Sequence, residues 1–567
     1  MEKRKRVLAL LLSAMLLIAV FSGCGGKEAK TEDVTPDASQ ATDKPEAPET
    51  PPPAEDEQTT HPYPISFPLV EEPVEFTLWT TINPMATSYI DTLSDAAVYN
   101  YLNELTNVHM VATCVSAITA AETFQIMVGS GDWPDICERV SGLYAGGLNA
   151  AYEEEFIIDI TDYVKKYSPN YYARLEEDPV RMIGACAGGD SILTFAEIWD
   201  EFNSLSKGLA IRQDWLDDLG LEVPRTFDEL ENVLRAFRDE KGADSPLWLS
   251  AAGTGGGFSL TSGYDVAMTM DPMGGEYPFV VKDGKVVCGL EEPNLYDYLA
   301  MIRRWYAENL CYKDFMMQFG PATSFSDGAF AEFLNGEMGV CYLMIDDFPI
   351  AEEAGVKVAP LADITREPGG TVGIVDLTPT VSPGWCITAD CDEDLIPLIC
   401  QWVDFLYTDE GAVINSFGLE NQAWVYDESG EITYTDLMLN NPDNLNWKVL
   451  LTLYAVDTGP GYFLNDRNWK SQSERQHEAF DVWKSNQDGS IAYPNAATMT
   501  QEEETEYAGI MAEIETFAKE KILGFITGQV DLDTEWDSYL ATLKVLNIDR
   551  VVEIKQAAYD RFISRQK

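Results

Sequence analysis

The chemistry open to this chain rests on one cysteine, many carboxylates and a generous set of indoles. Near the start, Phe21-Ser22-Gly23-Cys24 places two small residues before a thiol. Lys3, Arg4, Lys5 and Arg6 precede an almost wholly apolar run from Val7 to Val20. That order is a secretory signal, and the run is too short for a comfortable membrane span. The ending matches a bacterial lipobox, with Phe21 where Leu is commonest. Cleavage is therefore expected before Cys24, with diacylglycerol on its sulfur. Each buried methylene is worth about 0.8 kcal/mol, so two or more acyl chains, palmitate among them, hold where one would not. The expected location is extracytoplasmic, anchored to the cell membrane through Cys24.

The carboxylates argue against several function classes. Ninety-five Asp and Glu against 38 Lys and Arg give a net charge of −57, spread along the chain. Such a surface repels nucleic acid and anionic lipid, disfavours anionic ligands and suits neutral or cationic ones. With so many acids, carboxylate pairs are inevitable and none marks a glycosidase. There is no G-x-S-x-G, Walker A or complete G-x-G-x-x-G. Gly253-Thr254-Gly255-Gly256-Gly257 lacks the last glycine and reads as a loop. Asp390, Asp392 and Asp394 alternate like the start of a calcium loop, without its glycine and distal glutamate. They are expected to cap a helix near Leu395. Three histidines, His61, His109 and His477, leave no multi-histidine metal site. Beyond Cys24, nine cysteines remain and none forms C-x-x-C. They read mostly as small buried hydrophobes, with one or two disulfides left open. Neither a cofactor, a metal nor catalysis is expected.

These side chains need elements to position them. Residues 1–23 are the signal. Residues 24–67, rich in Pro, Thr, Glu and Asp and including Pro51-Pro52-Pro53, read as a disordered tether. From Val74 the texture changes. Val74 to Thr80, Val108 to Val115 and Asp135 to Cys137 read as strands. Tyr89 to Leu105 and Ala120 to Val128 read as helices between them. This alternation predicts an α/β domain with a largely parallel sheet. Thr226 with Glu229 three residues on is a capping box, and Asp283-Gly284 marks a hairpin. Gly208 to Ile211, Val340 to Met344 and Gly384 to Thr388 read as further strands. Leu395 to Tyr407 is an apolar helix, and the last hundred residues look largely helical.

Five stretches together resemble a known family, the sugar-binding extracellular solute-binding lipoproteins of bacterial ABC importers. They are Gly131-Asp132-Trp133-Pro134-Asp135-Ile136; Ile211-Arg212-Gln213-Asp214-Trp215-Leu216 with Leu219-Gly220-Leu221; Gly336-Glu337-Met338-Gly339; Tyr407-Thr408-Asp409-Glu410-Gly411; and a tail of Phe525-Ile526-Thr527-Gly528, Trp536, Tyr539 and Gln556-Ala557-Ala558-Tyr559-Asp560-Arg561. The resemblance spans about residues 74 to 565. It implies a periplasmic-binding-protein-like type II fold: two discontinuous α/β lobes around a central cleft. Residues 68–207 would begin lobe 1 and 208–380 form lobe 2. Residues 381–567 would return to lobe 1 and add a C-terminal helical region. Crossings are expected near Ser206 to Ile211 and Val381 to Ile387, with hinge closure about them trapping the ligand.

The implied function is a receptor, not an enzyme. It would capture a neutral carbohydrate, of oligosaccharide length, and deliver it to ABC permease subunits. The alternatives are the same fold carrying a peptide or other non-sugar solute, a surface glycosidase, or an adhesive surface protein. A pyranose offers an apolar C–H face to an indole and a hydroxyl rim to carboxylates, amides and Arg. Ligands in such sheets sit beyond the carboxyl ends of strands. The expected contacts are therefore Trp79, Asn83, Arg139, Trp199, Asp346, Asp347, Trp385, Trp424 and Trp469. Trp215, Trp402 and Trp536 lie in helical contexts and are expected to be buried.

Overall fold

A computed structural model describes residues 63–200, 207–249, 258–267, 279–313, 315, 329–374, 380–443 and 445–566. The signal, Cys24 and the Gly253–Gly257 loop lie outside them. The folded part begins earlier than residue 68. The Tyr63 backbone exchanges hydrogen bonds with the Asn170 side chain, and Phe67 sets its ring edge-on to Phe405 at 5.6 Å.

The larger sheet contains β1 (Val74–Ile82), β2 (Val108–Ser116), β3 (Ile136–Glu138), β4 (Phe195–Trp199), β10 (Val381–Ile387) and β13 (Gly461–Phe463), while β11 (Trp424–Tyr426) and β12 (Ile432–Tyr434) pair apart from it. Their order is β13-β4-β10-β3-β1-β2, and only β10 runs against the rest. Both faces are covered, as expected of a mostly parallel sheet. Alternation sorts the side chains. Phe76, Leu78, Ile136, Trp385 and Ile387 enter one core, while Trp79, Cys137 and Cys386 enter the other. The expected helix over 89–105 is shorter. A 3₁₀ turn at Leu93–Asp95 is followed by α1 (Ala97–Thr106), which ends at left-handed Asn107.

The second body is built on β5 (Lys207–Arg212), flanked by β8 (Val340–Met344) and β9 (Val358–Pro360), all antiparallel. A hairpin of β6 (Phe279–Lys282) and β7 (Lys285–Cys288) turns through Asp283 and Gly284, both at positive φ, as the sequence required. Helix α2 (Phe227–Lys241) starts on the Thr226–Glu229 capping box and buries Leu230, Leu234 and Phe237.

The 381–567 stretch divides between the two bodies. Up to Phe463 it packs with the larger sheet. Beyond that, α3 (Glu474–Lys484) lays Phe480 and Trp483 against Cys341 and Leu343. The last three helices, α4 (Gln501–Thr527), α5 (Leu532–Val545) and α6 (Ile548–Arg565), place Ile514, Phe525, Tyr539 and Val551 in the core that also holds Ile211, Trp305 and Val340. The chain therefore crosses three times: between β4 and β5, between Ile374 and β10, and between β13 and α3. No described helix is long and apolar enough to cross a membrane. All nine described cysteines are free, and eight of them are buried.

Candidate functional site

Because β1, β3, β4 and β13 run the same way, their carboxyl ends share one edge of the larger sheet, where β10 begins. The described residues that flank the three crossings, Trp199 and Asp200, Thr380, and Phe463, meet there. The Trp199 N–H donates to the Thr380 carbonyl at 2.8 Å, and the Asp200 N–H donates to the Phe463 carbonyl at 3.0 Å. The Asp200 carboxylate accepts from the Asn465 N–H at 2.8 Å. On the other body, α3 is seated on β5 at Gly208, where a Cβ would lie 2.4 Å from the Trp483 indole. The indole N–H donates to the Leu209 carbonyl at 2.9 Å. No side chain larger than hydrogen fits at residue 208 without moving the helix.

Charged groups line this junction. Glu138 is buried at the end of β3 and accepts from the Thr80 hydroxyl. Burial raises its pKa, and the nearby Glu197 charge adds to the rise. Arg139 follows in the left-handed region at φ 61°, exposed, with Nε donating to the Thr81 hydroxyl at 2.8 Å. Glu197 accepts from Trp199 Nε1 at 2.8 Å and from the Gly459 N–H at 3.4 Å; its pKa also rises through burial. Lys448 pairs with Asp457 at 3.0 Å. Its charge reaches both Glu197 and Asp346, although Asp346 follows β8 in the second body. Asp346 accepts from Gln476 Nε2 at 3.0 Å; desolvation raises its pKa while part of the residue stays exposed. Among the described residues no group of His, Cys, Asp and Glu is arranged to hold a metal ion.

The structure revises the indole set. Trp385 is 1 % exposed and packs in a triangle of near-parallel rings with Tyr99 at 6.3 Å and Trp402 at 5.9 Å. Trp79 packs in the core with Phe124. Trp424 is buried and donates to the Gly418 carbonyl at 2.9 Å. These three serve the core and present no face to a ligand. Trp199 does sit at the junction, but it stacks on Phe463 at 5.1 Å and lies 4.6 Å from the Arg467 guanidinium. Trp469 is 37 % exposed. One face lies on the His477 imidazole, 3.6 Å away and within 4° of parallel, and Phe480 meets it edge-on. His477 also lines a depression of about 500 Å³ with Glu474, Glu478, Asp481, Val482 and Ser485.

The other expected contacts separate in the same way. Asn83 is half-buried and caps its own loop, accepting from the Met85 N–H at 3.0 Å. Asp347 is buried and accepts from the Met344 N–H at 2.8 Å, so it shapes a helix start and does not face a ligand. Arg139, Asp346 and Trp469 remain at the surface. Trp215 and Trp402 are buried as expected, and Trp536 is half-buried. Asp392 closes the turn before the 396–404 helix with a bond from the Asp394 N–H, and Leu395 occupies the cap. The sequence reading missed Glu197, Lys448, Asp457 and Gln476 at the junction. A lone acid inside the apolar strand Phe195–Trp199 was the one available signal.

No protein-family model matches the chain. Structure comparison is decisive for the architecture. An oligosaccharide-binding solute-binding protein of Bifidobacterium longum infantis superposes with a TM-score of 0.69, at 17% identity, over 87% of this chain and 99% of its own. This is the solute-binding-protein fold. The fold recurs in alginate-binding AlgQ2, with a TM-score of 0.65 at 20% identity over 87% of this chain and 99% of that one. Kestose-bound FusA of Streptococcus pneumoniae gives 0.67 at 22% identity, over 86% and 99% of the two chains. In sequence, FusA, the fructooligosaccharide substrate-binding protein of an ABC transporter, is 24% identical over 530 residues. That covers 88% of this chain and 92% of FusA. That fold has two lobes, as the sequence resemblance implied.

Proposed function

We propose that this protein is an extracytoplasmic receptor that captures a neutral oligosaccharide and hands it to an ABC permease. The observation that carries this is the meeting of three crossings at a charged junction, in a fold shared with proteins named for oligosaccharide binding. Within the junction we assign Trp469 as the stacking surface. It is the one candidate indole with substantial exposure, and its back is braced by His477, which itself lines a shallow depression on α3. Asp346, oriented by Gln476, and Arg139 supply polar partners for the hydroxyl rim. The net charge of −57 and the acids at the junction favour an uncharged ligand over a uronate. Lipid on Cys24, in the Phe21-Ser22-Gly23-Cys24 setting, supplies the anchor, and residues 25–62 the reach.

The test is thermal unfolding with a panel of fructo-oligosaccharides, milk-type oligosaccharides, galacturonate oligomers and peptides. A ligand at 100 times its dissociation constant stabilises the fold by about 2.7 kcal/mol. A shift with a neutral oligosaccharide and none with galacturonates supports the reading. A shift with peptides alone overturns the carbohydrate assignment, and hydrolysis of a bound glycan overturns the receptor.

A further inference from the structure

Tyr99, on α1, is 2 % exposed, and its hydroxyl bonds to no described residue. The ring is fixed in place: it lies near-parallel to Trp385 and to Trp402, 6.3 Å from each. The hydroxyl end reaches the carboxyl edge of the larger sheet, where a Cβ on Gly459 would stand 3.2 Å from it. Buried polar groups are nearly always paired, so an orphan phenol implies a partner that the chain does not supply.

The same edge carries a row of polar side chains on an otherwise apolar face. Side chains alternate along a strand, so on β1 Thr80 follows Phe76 and Leu78 onto one face. Glu138 on β3 stands opposite Trp385 in register. Glu197 on β4 is two residues past Phe195, which is also opposite Trp385. All three therefore share the face against which Tyr99 packs. Burial first, then the Glu138 charge, push the Tyr99 pKa up, with Glu197 and Asp457 adding to the rise, so the phenol remains a donor. The acids already have cations acting on them: Arg139 on Glu138, and Arg467 and Lys448 on Glu197. What is unmet is a hydrogen bond and not a charge. A hydroxyl meets that need in one group, because it accepts from the phenol and donates to a carboxylate.

We infer that Tyr99, Glu138 and Glu197 form the floor of the ligand site on the larger sheet and recognise a free hydroxyl of an uncharged sugar. The inference deepens the receptor reading and rests on it in taking the ligand for a carbohydrate. Tyr99→Phe removes one oxygen and keeps the ring beside Trp385 and Trp402. Calorimetric titration of the parent and the variant uses the neutral oligosaccharides of the panel above, kestose and lacto-N-tetraose among them. The variant is expected to bind the parent's tightest probe at least tenfold more weakly, while its ligand-free melting temperature does not fall. Equal affinity overturns the inference and leaves the receptor reading standing. A lower ligand-free melting temperature would mean a structural phenol and overturns the inference as well. Binding of none of these probes by the parent overturns the receptor reading, and the inference with it. Glu138→Gln gives a second measurement on the same probe, since it keeps the shape and turns one acceptor oxygen into a donor. Binding at least tenfold weaker supports the floor, and equal binding refutes it.

Discussion

Stability should fall as pH rises from 4 to 8, and Asp404 should carry a large share of that fall. Its carboxyl is buried beneath the 396–404 helix and accepts from Asn170 Nδ2 at 2.7 Å and the Tyr171 N–H at 2.9 Å. Those bonds favour the ionised form, but desolvation outweighs them and lifts the pKa from 3.8 to about 7. Between those values the folded state holds a proton that the unfolded state has released. Stability therefore decreases with pH across that window. Three decades of proton affinity correspond to about 4 kcal/mol from the acid end to the alkaline end, of which about 1 kcal/mol is lost between pH 6 and 8. Asp363, raised to about 6 by burial, acts in the same direction but is largely spent by pH 6. Urea unfolding of the wild type and Asp404→Asn at pH 5, 6, 7 and 8 separates the contributions. Asparagine keeps the shape and cannot ionise, so the variant should lose most of the pH 6 to 8 slope. The same slope in both proteins, or a wild type that gains stability toward pH 8, would refute the reasoning.

Other outcomes follow from the indoles, the helix seat and the anchor. Trp469→Ala should weaken oligosaccharide binding by roughly 2 kcal/mol, about thirtyfold, with little change in melting temperature. Trp385→Ala should instead cost about 3–5 kcal/mol of stability, because it leaves a cavity beside Tyr99 and Trp402 in the core; calorimetry and urea titration on the same two variants check both. Gly208→Ala drives a methyl into the Trp483 indole and should lower stability by about 1–3 kcal/mol, whereas Gly509→Ala, inside α4 with open space around it and ordinary helical backbone, should cost less; denaturation midpoints compare the pair. Cys24→Ala should move the protein from the membrane to the soluble fraction or leave an uncleaved precursor, and mass spectrometry of the mature N-terminus reads the lipid directly.

Local features were legible in the chain itself. The Thr226–Glu229 cap and the Asp283-Gly284 turn need only neighbouring residues, and both form as the sequence required. Strand periodicity marked β1, β2, β3 and β10, since alternation decides which core each side chain enters, but β4 and β13 went unread. The indoles were misjudged because a tryptophan near a strand end looks available until the strand's neighbours are known. Trp385 lies on β10 between β3 and β4, beneath α1, and nothing local announces that burial. Lys448 and Asp346 are about a hundred residues apart, and their proximity is a product of topology alone. The side on which the last helices dock was likewise illegible. Their apolar stripes specify burial but not the partner, and the partner is the core of Ile211, Trp305 and Val340.

That last packing has a consequence for how the protein is made. A ribosome delivers Ile211 and Val340 long before Ile514, Phe525, Tyr539 and Val551, which share their core. The larger sheet waits too, since β13 at Gly461–Phe463 fills its edge beside β4. Neither lobe can finish folding as a first-made domain, and both close only when nearly the whole chain is present. The interleaving that joins the lobes thus also times their folding, tying it to the completion of synthesis.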